Sequence, residues 1–307
     1  MAVVLRMRPQ YEPLTWDAFC RLTEPFSIAL DGYVAAGPRY QDEGPRLNLN
    51  HHEEVDRLAT RSTCAQVLMA IRQGLFSRFR DQEGPRADVY ANDCDEDVCT
   101  SWFLLKYAHL AEHSINPVLN RLVVMEDLLD TTAGAYPFPV DLPLLQELAW
   151  VFDPYRRARL DGALDAKDPD HYLSIVHDVE QRILKHITGR GEKTPLDTRY
   201  ERTGGGQGWA MVRELGAQAR TGVLADGIQA YVAVQERGDG RWNYSVGRMS
   251  LFIPFDVPQI VAELNQAEPG SNERWTAGDT LGLSPRLSGS QLPPDEVARV
   301  VHDVVGK

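Results

Sequence analysis

The chain has 307 residues, 43% of them hydrophobic and 25% charged, which is the composition of an ordinary globular protein with room for two domains. Its formal net charge of −12 excludes tight binding of long duplex nucleic acid, which needs a broad basic surface. No apolar run of about 18 residues occurs, so no membrane span is expected. The opening Met1 to Pro9 is too poor in apolar residues for a secretory signal. Cys20, Cys64, Cys94 and Cys99 lack paired CxxC spacing, so neither a disulfide framework nor a structural zinc site is expected. The expected location is cytoplasmic.

In chain order, Phe26 to Leu30 reads as a strand ending at Asp31-Gly32. A loop rich in Gly and Pro leads to a second strand, Leu47 to Asn50, which runs into His51-His52-Glu53-Glu54. Leu58, Ala65, Val67, Leu68, Ile71 and Leu75 give a helical period over about 57–79. Ala87 to Ala91 is the next strand, and a helix follows from about Asp97 to Glu112. Strands alternating with helices predict an α/β fold with a largely parallel sheet flanked by helices. Helical patterns continue over 142–159 and 171–187, where His177 reads as a structural residue. Gly-rich 189–208 reads as a linker or hinge. Beyond it, Gly238-Asp239-Gly240 between two alternating runs is a hairpin signal, and 255–265 and 294–305 read as helices. The expected organisation is a metal-binding α/β domain over 1–188, the linker, and a smaller substrate-binding α/β domain over 209–307.

Chemistry concentrates at the predicted strand ends, where parallel sheets gather functional residues. Asp93-Cys94-Asp95-Glu96-Asp97 places four carboxylates in five residues, and their mutual repulsion calls for a divalent cation with oxygen ligands. On an extended backbone Asp93, Asp95 and Asp97 would share one side. The same run also reads as a solvated acidic loop with a helix cap. Adjacent His51 and His52 suit manganese, iron or zinc, against the plainer reading of an exposed polar loop. Asp31 lies at a third strand end.

These residues resemble the DHH phosphoesterase superfamily. Its acidic signature D-x-D-x-D-G-x-T-S is similar to Asp93-Cys94-Asp95-Glu96-Asp97-Val98-Cys99-Thr100-Ser101, with Val98 in place of the glycine. Its Asp-His-His motif appears as Asn50-His51-His52, and a further acidic position as Asp130-Thr131-Thr132-Ala133-Gly134-Ala135-Tyr136. Here the acidic signature follows the His-His pair instead of preceding it, as in a permuted member, and Asn50 replaces an aspartate.

The resemblance implies two manganese ions, with magnesium or iron(II) as alternatives, held by Asp31, His51, His52, Asp93, Asp95, Asp97 and Asp130. Asp95, Asp97 and His52 would stand closest to the chemistry, a metal-activated water displacing at phosphorus. The resemblance further implies a Gly-rich phosphate-binding segment, for which Gly282, Ser284, Arg286 and Ser290, with Arg248 upstream, are the candidates. Alternatively, that segment is a surface loop with ordinary turn chemistry. The expected activity is metal-dependent phosphoester hydrolysis of a nucleotide, a short oligonucleotide or another small phosphorylated substrate. The alternatives are a non-hydrolytic phosphometabolite-binding protein and a metalloenzyme of different chemistry on a rearranged site. The sequence leaves the substrate and the oligomeric state open.

Overall fold

A computed structural model describes residues 2–56, 59–112, 116–134, 138–270 and 273–306. The chain is mixed α/β, with two sheets flanked by helices, and divides into two compact units. The first unit comprises residues 1–131, 147–156 and 166–194, and the second comprises 132–146, 157–165 and 195–307. Among the described residues no helix is long and apolar enough to cross a membrane.

The first unit is built on β1 (Ala2–Met7), β2 (Ser27–Leu30), β3 (Arg39–Gln41), β4 (Arg46–Leu49), the short β5 (Arg80–Asp81) and β6 (Gly84–Ala91). Its order is β1-β6-β2-β4-β3; the first four strands are parallel, while β3 on β4 and β5 on β6 are antiparallel. The expected parallel sheet is therefore this one. Every residue of β2 is buried, as befits a central strand covered on both faces.

On one face, α1 (Trp16–Leu22) sets Phe19 against Ala29, Tyr33 and Tyr90. α2 (Thr63–Arg72) buries Val67, Leu68 and Ile71 at helical spacing, and α3 (Leu75–Arg78) follows it. Arg57 and Leu58, the expected start of that helix, lie outside the described residues. α4 (Glu96–Lys106) is buried continuously from Asp97 to Leu105, so its whole circumference is interior. α5 (Ala108–Glu112), α6 (Pro117–Thr131), α7 (Pro143–Val151), α8 (Asp153–Leu160) and α9 (Pro169–Ile187) complete the helical order of this stretch. α9 faces inward with Tyr172, Ile175, Val176, Val179 and Ile183, while His177 is exposed. Buried Glu180 of α9 accepts from Trp102 Nε1, Lys106 Nζ and Tyr107 Oη of the α4 segment at 2.7–3.0 Å.

The second unit carries β7 (Tyr200–Gly206), β8 (Trp209–Glu214), β9 (Ala230–Glu236), β10 (Trp242–Arg248), β11 (Thr276–Ala277) and β12 (Leu281–Leu283). Only β8 and β9 pair in parallel, joined by the crossover helix α10 (Ala219–Ala225); the other pairs are antiparallel. This sheet departs from the largely parallel expectation because hairpins link its neighbours, β9 and β10 through the anticipated Gly238-Asp239-Gly240 turn. α11 (Val257–Ala267) and α12 (Pro294–Val305) contribute Ile260, Leu264, Val297 and Val301 to a core with Trp209, Val232, Tyr244 and Trp275.

The segment 189–208 is not a linker throughout, since residues 200–206 form β7. Its glycines serve the strand. Gly205 has φ +127°, and a Cβ there would lie 2.6 Å from the Trp209 carbonyl oxygen, beside an irregularity in the β7–β8 register.

Candidate metal centre

The site lies within the first unit, where the carboxyl ends of β2 and β4 meet the first turns of α2 and α4. Asp31 directly follows β2 and adopts φ +49°, the left-handed conformation that aspartate tolerates better than most residues. Its carboxylate is buried. Asn48 and Asn50, at the end of β4, donate side-chain N–H groups to the carbonyls of Val34, Ala36 and Gly37 and so close the intervening loop. Asn50 also donates to Glu53 Oε2 at 2.7 Å and accepts from the His52 amide at 3.0 Å. An aspartate could not make these donations, so the Asn at this motif position has a structural cause.

His51 is wholly buried, whereas the His52 side chain is 37% exposed. Their rings stand 4.3 Å apart. His51 Nε2 lies 2.8 Å from Asp130 Oδ2, 3.4 Å from Asp31 Oδ1 and 3.8 Å from Asp97 Oδ2, and His52 Nε2 lies 2.9 Å from Asp31 Oδ1. Two groups result, Asp31-His51-His52 and His51-Asp97-Asp130, each with ligand atoms within 4.8 Å of one another. Asp130 projects from the last turn of α6, and its buried Oδ2 faces His51 Nε2. Ala135 and Tyr136 of the motif that begins at Asp130 lie outside the described residues.

The acidic run does not form an extended stretch with three aspartates on one side. Asp95 caps α4, accepting from the Val98 amide at 2.9 Å, and Asp97 lies in the first helical turn. Helix capping, which aspartate favours, takes precedence over strand alternation here. Asp93 Oδ1 accepts from the Cys94 amide. Neither Asp93 nor Asp95 belongs to the two ligand groups. Asp97 accepts from the amides of Thr63 and Cys64 at 2.7 and 2.6 Å, so the N-terminus of α2 steadies its charge.

Electrostatics fit a cation. Burial, followed by the charges of Asp31, Asp93, Asp130 and Asp97, pushes the Asp95 carboxyl well above the usual carboxylate range. Asp97 is raised in the same way by burial, Asp130 and Asp31. Burial acts against ionisation of Asp31 as well, but His52 and His51 outweigh it and hold that carboxyl low. Burial likewise opposes a charged His51, and Asp130 and Asp31 override it to place His51 at about 11. In a site without a cation, a proton on His51 offsets a surplus of buried negative charge. A divalent ion does this with more charge, and imidazole plus carboxylate donors suit manganese, iron or zinc.

Sequence reasoning missed Thr63 and Cys64, which act through backbone amides, and Asp127, which accepts from the Ser62 amide and from Arg61. It also missed Glu126, buried on α6, whose carboxyl burial and the charges of Glu96, Asp130 and Asp97 push upward.

The expected phosphate-binding residues belong to the second unit. Ser284 Oγ accepts from the Tyr244 amide and Ser290 Oγ donates to Glu268 Oε2, both from buried positions. Gly282 lies in β12, where a Cβ would come 2.6 Å from Val261 Cγ2. Arg248 donates to the carbonyls of Asp279 and Ile253. Arg286 is exposed. No family model matches the chain, and no curated protein matches it.

Proposed function

We propose that the first unit is a metal-dependent phosphoesterase, a distant and permuted relative of the DHH superfamily, acting on a nucleotide, a short oligonucleotide or another small phosphorylated substrate. The supporting observation is the convergence of Asp31, His51, His52, Asp97 and Asp130, distant in sequence, into two ligand groups that share His51. One or two manganese ions, with magnesium or iron(II) as alternatives, would be held by these five residues. When bound, the ions acidify water and neutralise phosphate oxygens.

The residues of the chain divide the remaining tasks. His51, fully enclosed, fixes the spacing between Asp31 and Asp130. His52, partly exposed and within hydrogen-bond reach of Asp31, can hold or pass a proton at the mouth of the site. Asp97, held by the first turn of α2, keeps its position as ions and substrate exchange. Asp95 is a helix cap in this reading, and its charge adds to the local negative potential.

The experiment is hydrolysis of bis(p-nitrophenyl) phosphate and of short oligonucleotides by the metal-free chain with and without manganese. Manganese-dependent release of product that is absent in His51→Ala supports the reading. Manganese binding without turnover of any substrate favours a phosphometabolite binder instead.

A further inference from the structure

One buried residue holds two of the candidate ligands at once. The Thr63 amide donates to Asp97 Oδ2 at 2.7 Å, and the Thr63 hydroxyl donates to Asp31 Oδ1 at 3.1 Å. Asp31 follows β2 and Asp97 lies on α4, so Thr63 sets the distance between two elements that share no covalent constraint. Thr63 opens α2, whose start is itself fixed. The Ser62 amide donates to Asp127 Oδ1 at 2.8 Å, and Asp127 lies on α6 one turn before Asp130. A single helical turn thereby references the end of β2, the start of α4 and the end of α6 to one another.

Asp31 sharpens the point. Its contacts with His52, His51 and Thr63 all fall on Oδ1, at 2.9, 3.4 and 3.1 Å. Two of these neighbours are candidate ligands, whose nitrogens a bound cation would engage. The Thr63 hydroxyl is not, so it would keep its hold on Oδ1 in either case. Threonine suits the task because its branched Cβ restricts χ1 and sets the hydroxyl in advance.

We propose that Thr63 is the positioning residue of the metal centre, setting Asp31 through its hydroxyl and Asp97 through its amide. This rests on the proposed metal site and adds a residue that acts only through its ligands. Hydrogen bonds of this kind to metal ligands are typically worth about 10–100-fold in metal affinity.

The test is manganese titration of the metal-free full-length chain, reading free ion by electron paramagnetic resonance, paired with melting of each protein without metal. Thr63→Val keeps the shape and the amide but removes the hydroxyl, and its manganese dissociation constant is expected to rise about 10–100-fold. Thr63→Ser restores the donor and is expected to bind nearly as the parent does. Should Thr63→Val not fold, Thr63→Ala removes the same hydroxyl and serves in its place. A hydroxyl variant that melts lower yet binds manganese with parental affinity overturns the proposal, because Thr63 is then a structural residue only. A parent chain that binds no manganese overturns the metal-centre reading and this proposal together, and the parent titration alone distinguishes that failure.

Discussion

His51 Nε2 and Asp130 Oδ2 stand 2.8 Å apart although one residue follows β4 and the other ends α6. Bringing a buried imidazole to a partly buried carboxylate over that sequence distance concentrates charge where solvent screening is weak. The stability of the first unit should therefore depend on what neutralises this charge.

A cation that binds only the folded state stabilises it by mass action, by about 2.7 kcal/mol at a hundredfold excess over the dissociation constant. For a unit of this size that corresponds to roughly 5–10 °C. Differential scanning fluorimetry with manganese and with chelator checks it. Coincident melting curves would count against a cation at these residues.

Replacing Asp97 is expected to cost more stability than replacing Asp95, even without metal. Asp97→Ala strips the partners from two buried amides, those of Thr63 and Cys64, at about 1–3 kcal/mol each. Asp95→Ala removes one helix cap, at about 1 kcal/mol. Urea denaturation of both variants in chelator gives the comparison, and equal midpoints would contradict the assigned roles.

The second unit should show its own pH dependence. Glu214 is largely enclosed between Arg220 and Arg159, at 2.7 and 2.6 Å. Burial alone would raise its carboxyl, but the two guanidinium groups outweigh it and bring it down to about 2 from the usual 4.5. A carboxyl lowered on folding contributes stability that is complete above its unfolded value and fades as the pH falls through its folded value. Here the window runs from 4.5 down to about 2 and is worth on the order of 3 kcal/mol. The destabilisation caused by Glu214→Gln should be largest above that window and shrink across it. A gap between parent and variant that stays constant with pH would show that the ion pairs do not act in this way.

Ser290→Ala is expected to act on stability. Its hydroxyl shares Glu268 Oε2 with Trp275 Nε1, both at 2.9 Å, inside the core of the second unit. Loss of about 1 kcal/mol is the expected result in chemical denaturation. A variant of unchanged stability would free Ser290 for the phosphate-binding role that its Gly-Ser context suggests.

How far these features were legible depends on which chemical group carries each one. Asp31, His51 and His52 sit where the expected strands stop, and strand ends of a parallel sheet converge, so a pattern in side-chain type became a place in space. Asp130 was readable only through a family resemblance, because nothing local distinguishes an aspartate late in a helix. The alternation of Asp93, Asp95 and Asp97 misled because the period of a strand was applied to a helix start. Thr63 left no trace, since half of its role belongs to a backbone amide that every residue type except proline offers. β7 was hidden by its composition. A strand exposed along most of its length needs no apolar alternation, and its glycines answer a close approach of β8.

The most direct measurement is equilibrium dialysis of the metal-free full-length chain against manganese, for the parent and for His51→Ala, with circular dichroism to establish that both are folded. His51 is the residue shared by the two ligand groups. The expected result is one or two ions bound per parent chain and a loss of that binding in the folded His51→Ala variant. A parent that retains no manganese, or a variant that retains as much as the parent, would contradict a metal centre built on these residues.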